Sequence, residues 1–125
     1  MAILGNILVL IVAFLHIGFM IMEMYLWQTP AIMQRLGMSP EQASATAVLA
    51  ANQGLYNGFL AAGLFWGVIA ERENFAIKVF FLTCVIMAGV FGGLTAKASI
   101  VVTQAVPAIS ALAFVILARG RSESA

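Results

Sequence analysis

The sequence predicts an all-α membrane protein, a four-transmembrane-helix up-and-down bundle making one domain of residues 1–125. Three observations predict it. Hydrophobic residues make up 63% of the chain and charged ones 9%, and mean hydropathy is +1.06; a soluble domain is nearer half apolar and a quarter charged. So little polar surface cannot cover a globule, so lipid has to be the solvent. Next, four apolar stretches, at about residues 3–27, 41–70, 75–96 and 99–118, are each long enough at ~1.5 Å per residue to cross a hydrocarbon core of ~30 Å. The segments between them carry the breakers and charges: Pro30, Gly37, Glu71-Arg72-Glu73 and Lys97.

The composition also excludes. A formal net charge of +1 with no basic run argues against a nucleic-acid partner. Cys84 is the only cysteine, so no internal disulfide forms. One His, one Cys and no Asp make a closed metal site within one chain improbable, and no cofactor motif is present.

The first span, Ile3 to Trp27, is too long for a signal-peptide core and ends on no small-x-small cleavage pattern, so it reads as a retained membrane helix. His16, Glu23 and Trp27 are spaced seven and four apart, which on an α-helix puts them within ~20° of one line. A one-sided polar stripe in a membrane helix faces protein or water. Tyr25 and Trp27 also suit an interfacial aromatic belt. In the loop that follows, residues 31–36 allow a short interfacial turn before Gly37.

Ser39-Pro40-Glu41-Gln42 is a helix start: Ser39 caps, Pro40 suits the first position and Gln42 completes a capping box. The second span is too long for one crossing, so its first turns are expected among the headgroups. Gln42, Thr46, Gln53 and Asn57 share one line; Ala47, Ala51, Gly54, Gly58 and Ala62 form a small-residue ridge that admits a neighbouring backbone. In the third span Gly89 and Gly93 repeat the G-x-x-x-G spacing, and in the fourth Pro107 is expected to kink the helix beside Thr103 and Gln104. Arg119, Arg121 and Glu123 read as a polar tail. Arg72, Lys78, Arg119 and Arg121 fall on one side and Arg35 and Lys97 on the other, which favours both termini in the cytoplasm.

Carboxamides in hydrocarbon are costly unless bonded, and Asn52, Gln53 and Asn57 put three of them within six residues. If the first loop is symmetric, His16 lies level with about Asn52, with Glu23 near Thr46 or Gln53. His16, Glu23, Trp27, Asn52, Gln53, Tyr56, Asn57 and Gln104 are then expected to converge on one outward-opening pocket. The leading function is binding or transport of a small amphipathic or apolar molecule, with a homo-oligomer supplying the room that one small bundle lacks. An alternative is an intramembrane acid–base enzyme on a lipid-like substrate, with His16 and Glu23 as catalytic candidates. A further alternative is an accessory subunit whose polar residues only lock helices together.

The run through His16, Glu23-Met24 and Trp27, followed by Leu49-Ala50-Ala51-Asn52-Gln53-Gly54-Leu55-Tyr56-Asn57-Gly58-Phe59-Leu60-Ala61-Ala62-Gly63, resembles a bacterial family of small membrane proteins, domain of unknown function 1304. The likeness covers nearly the whole chain. It implies a four-helix protein of the bacterial inner membrane and brings no established activity, so no catalytic residue is carried over.

Overall fold

In the computed structural model residues 2–123 are described, with side chains to residue 120. The described chain is helical throughout and has no strand. α1 is Ala2–Ile21 and runs on through a π-helical turn, π1, at Met22–Leu26. α2 is Pro30–Leu36, α3 Pro40–Ile69 and α4 Asn74–Thr95; a second π-helical turn, π2, at Val101–Ala105 leads into α5, Val106–Glu123. Three stretches are long and apolar enough to cross a membrane: Ala2–Leu26, Asn74–Thr95 and Val101–Gly120. The protein is thus a multi-pass membrane protein by length and composition. α3 is helical over 30 residues yet is not among them, because Gln42, Thr46, Asn52, Gln53 and Asn57 dilute its apolar content.

The helix ends follow local chemistry. The Ser39 amide N–H donates to Gln42 Oε1 at 2.9 Å and the Gln42 amide to Ser39 Oγ at 3.2 Å, the reciprocal pair expected of a capping box. α2 stops where Gly37 takes φ 69°, a region closed to most side chains. Met38 N–H then reaches the Met33 carbonyl at 2.9 Å, closing the turn. α4 starts differently: Glu73 precedes it at φ 58° and provides no side-chain cap. Pro107 follows a change in helix type. The backbone ahead of it loosens into π2, where Val106 N–H bonds the Val101 carbonyl five residues back. That wider turn accommodates the ring that an α-helix would press against the carbonyl four residues earlier.

The chain divides into two compact units, Met1–Phe14 with Leu60–Ala125, and Leu15–Phe59. In the first, α1, α3, α4 and α5 all contribute to one core of Val9, Val12, Leu64, Leu82, Val85 and Val115, with Ala108 and Ala111 between them. Close approach is bought by glycine: a Cβ at Gly89 would lie 2.7 Å from the Ala105 amide nitrogen, so α4 passes π2 nearly backbone to backbone. Phe14 and Phe65 meet edge to face, centroids 5.3 Å apart. The hydroxyls of Thr83, Thr95 and Ser110 each donate to the carbonyl four residues earlier, at 2.7, 2.8 and 3.0 Å, so their protons are satisfied within their own helices. The side chains of Arg121 and Glu123, expected in a polar tail, lie outside the described residues.

The second unit is a helical hairpin: the end of α1 with π1, then α2, then α3 as far as Phe59. Its register departs from the symmetric-loop expectation. A Cβ at Gly54 would lie 2.6 Å from Met24 Cγ and 3.1 Å from the Met20 carbonyl oxygen, and one at Gly58 would lie 2.8 Å from Met20 Sδ. Gly54 is therefore opposite Met24, and Gly58 opposite Met20. His16 lies a further turn along, roughly two to three turns from the level of Asn52. The cause is the length of α3, whose opening turns project past the end of π1 where α2 occupies the connection.

Candidate functional site

Within the hairpin, glycine sets the distance and π1 sets the direction. Gly54 and Gly58 bring the α3 backbone against α1, and Asn57, three residues from Gly54, reaches across at the same level. Asn57 Nδ2 donates to Glu23 Oε2 at 2.7 Å. This is the one hydrogen bond that Glu23 receives from a described side chain, and the carboxylate remains half-buried. Glu23, expected near Thr46 or Gln53, lies beside Gly54 and bonds to Asn57, one helical turn past Gln53. Thr46 is taken by Trp27, whose Nε1–H donates to Thr46 Oγ1 at 3.0 Å, while that hydroxyl donates to the Gln42 carbonyl at 2.8 Å.

Glu23 and Trp27 both bond to α3, through Asn57 and Thr46, across a turn, Met22–Leu26, that is π-helical with a longer repeat than ~3.6 residues. His16 is buried, 1% exposed, with Phe19 edge-on at a centroid distance of 5.6 Å. Seven residues separate it from Glu23, about 10 Å of helix rise, so the two carry no direct acid–base dyad. Tyr56 is exposed and meets Phe59 edge-on at 6.1 Å. Asn52 and Gln53 are exposed, with no side-chain hydrogen bond to another described residue. Gln104 is half-buried on π2 and belongs to the other unit. No group of three or more His, Cys, Asp or Glu able to hold a metal occurs among the described residues.

The first unit has a polar feature of its own. A cavity of about 490 Å³ opens at the start of α1, the end of α3, the start of α4 and the end of α5. Asn6, Val68, Asn74, Phe75, Lys78 and Arg119 are among its walls. Lys78 is 8% exposed and donates from Nζ to Asn6 Oδ1 at 2.9 Å. A Cβ at Gly67 would fall 2.8 Å from Lys78 Cγ, so that glycine makes room for the lysine stem. The Arg119 guanidinium carbon stands 4.3 Å from the centre of the Phe75 ring. In the sequence Lys78 counts only as a charge that sets sidedness, and nothing near it names Asn6 as its partner. The available signal was that an up-and-down order of helices brings the first turns of the first and third spans to one end.

Comparison with known proteins shows kinship. The profile of the family described as protein of unknown function (DUF1304) matches residues 10–116. The chain is 31% identical over 114 residues to the uncharacterized protein YpaA of Lactococcus lactis subsp. lactis (strain IL1403), covering 90% of this chain and 96% of that one. No solved structure matches. Helical architecture, apolar spans and a profile running across most of the chain together make this protein a member of the DUF1304 family.

Proposed function

We propose that the protein binds a small amphipathic molecule within the bacterial inner membrane, and as a homo-oligomer transports it, with the Glu23 carboxylate as the polar anchor. The observation that carries this reading is the 2.7 Å bond from Asn57 to Glu23 on a π-helical turn of a helix fit to cross the bilayer. A carboxylate is expensive at that depth and is retained where it meets a substrate, an ion or a proton. π-turns inside helices recur at such sites because they re-aim side chains. Asn57 supplies one donor, and a carboxylate has sites for several more. The ligand's polar end is accordingly a cation or hydrogen-bond donor, with Trp27 and Tyr56 beside an apolar body.

The homo-oligomer is supported by Asn52 and Gln53, whose exposed amides need partners in a bilayer. α3 serves as a fourth crossing in a single-domain bundle, supported by the core that it shares with α1, α4 and α5. Both termini then lie on the cytoplasmic side, as the distribution of Lys and Arg favours.

The test uses purified protein in neutral detergent and a panel of lipophilic ammonium and phosphonium cations. A panel member should raise the Tm of the parent protein in a saturable way. Glu23→Gln, which keeps an acceptor for Asn57 but removes the charge, should lose that rise. An equal rise in both proteins, or none in either, would defeat the proposal.

A further inference from the structure

We propose that the cavity walled by Asn6, Asn74, Lys78 and Arg119 seats the anionic phosphate of a lipid headgroup. The first argument is charge. Two cationic side chains, Lys78 and Arg119, border one cavity, and among the described residues no Asp or Glu lines it. Lys78 is 8% exposed. Its ammonium has three donors and meets one acceptor among the described residues, Asn6 Oδ1 at 2.9 Å. An ammonium that meets a single neutral amide among the described residues keeps donors to spare, and an anion in the cavity would take them up.

The second argument is the helix start. Asn74 and Phe75, the opening residues of α4, line the same cavity. The first backbone bond of that helix runs from Ile77 N–H to the Glu73 carbonyl at 3.0 Å, and no side chain caps the turn before it. The positive end of the helix is thus open where Lys78 lies one turn further on. Glu71 and Glu73, the nearest acids in the sequence, are exposed and do not line the cavity.

The third argument is position. The walls come from the beginnings or ends of four helices, three of them in stretches fit to cross a membrane. The cavity therefore lies at the level where headgroup phosphates lie, and basic recesses between membrane helices there take anionic headgroups. Its volume, about 490 Å³, suits a headgroup rather than a lone ion. Arg119 over Phe75 holds a guanidinium at the rim, where it can close on phosphate oxygens.

The full chain is purified in neutral detergent and titrated with phosphatidylglycerol, phosphatidylcholine and inorganic phosphate. Binding is read by native mass spectrometry and by Tm. Phosphatidylglycerol should bind saturably and about tenfold more tightly than phosphatidylcholine, which carries the same phosphate with its charge offset. Arg119→Gln at the rim should weaken phosphatidylglycerol by about fivefold, and Lys78→Met should abolish the preference. The rim variant keeps the test open if the buried one fails to fold. Inorganic phosphate should bind far more weakly; equal protection by it would assign the site to a free anion and overturn the lipid. Equal binding of the two lipids, or a preference that Arg119→Gln and Lys78→Met leave intact, would overturn the site itself.

Discussion

Asn57 and Glu23, 34 residues apart in sequence, meet at 2.7 Å through a donated amide N–H. Removing the amide strands the acid. Asn57→Leu should destabilise the protein by about 1–3 kcal/mol, the range for leaving a buried polar group without its hydrogen bond, since the carboxylate is charged but only half-buried. In a Glu23→Leu background the same change should cost much less. Thermal unfolding of the four proteins in one detergent measures the coupling; equal costs in the two backgrounds would mean that the pair contributes nothing.

Gly54 is the narrowest point of the hairpin. Its missing Cβ would lie 2.6 Å from Met24 Cγ and 3.1 Å from Glu23 Cβ. Gly54→Leu should therefore cost about 1–3 kcal/mol by overpacking. Gly18, where a Cβ would meet nothing within 4 Å, is the internal control, and Gly18→Ala should change Tm little. The comparison is a pair of melting curves.

The reciprocal bonds between Ser39 and Gln42 predict a cost for Ser39→Ala of about 1 kcal/mol. Ser39→Asp, which retains a capping oxygen, should recover most of it. Hydrogen exchange in the first turn of α3 reports the effect locally, where fraying will precede global unfolding.

Glu73 sits at φ 58° without capping α4. A left-handed conformation costs a side-chain-bearing residue roughly 1–2 kcal/mol that glycine avoids. Glu73→Gly should therefore leave the protein as stable or raise Tm slightly, unlike most glycine substitutions at a helix boundary. A fall in Tm would show that the Glu73 side chain contributes a contact worth more than the strain.

What the sequence made legible was whatever depends on neighbours along the chain. α1, α3 and α4 start within a residue or two of their expected places, and the Ser39 capping box and the close approach at Gly54 and Gly58 are as the spacing implied. What it hid depends on departures from ideal repeat or on distant partners. A uniform period of ~3.6 residues does not foresee the π-turn at Met22–Leu26. A symmetric loop put His16 beside Asn52, and the length of α3 moves it. Lys78 and Asn6 are 72 residues apart, and each alone looks like an ordinary polar residue near a span end. Only packing reveals that one solvates the other.

The π-turn at Met22–Leu26 decides where residue count is a constraint. Connecting loops absorb a lost or gained residue by changing path, but a helix translates it into rotation, ~100° for each residue. The π-turn is the exception: shortening it by one would let the backbone relax to an ordinary helix, and the relaxation would absorb most of the rotation, leaving the indole and the acid both facing α3. The same loss a few residues earlier, where α1 is already an ordinary helix, has no such slack and would turn both ties away together.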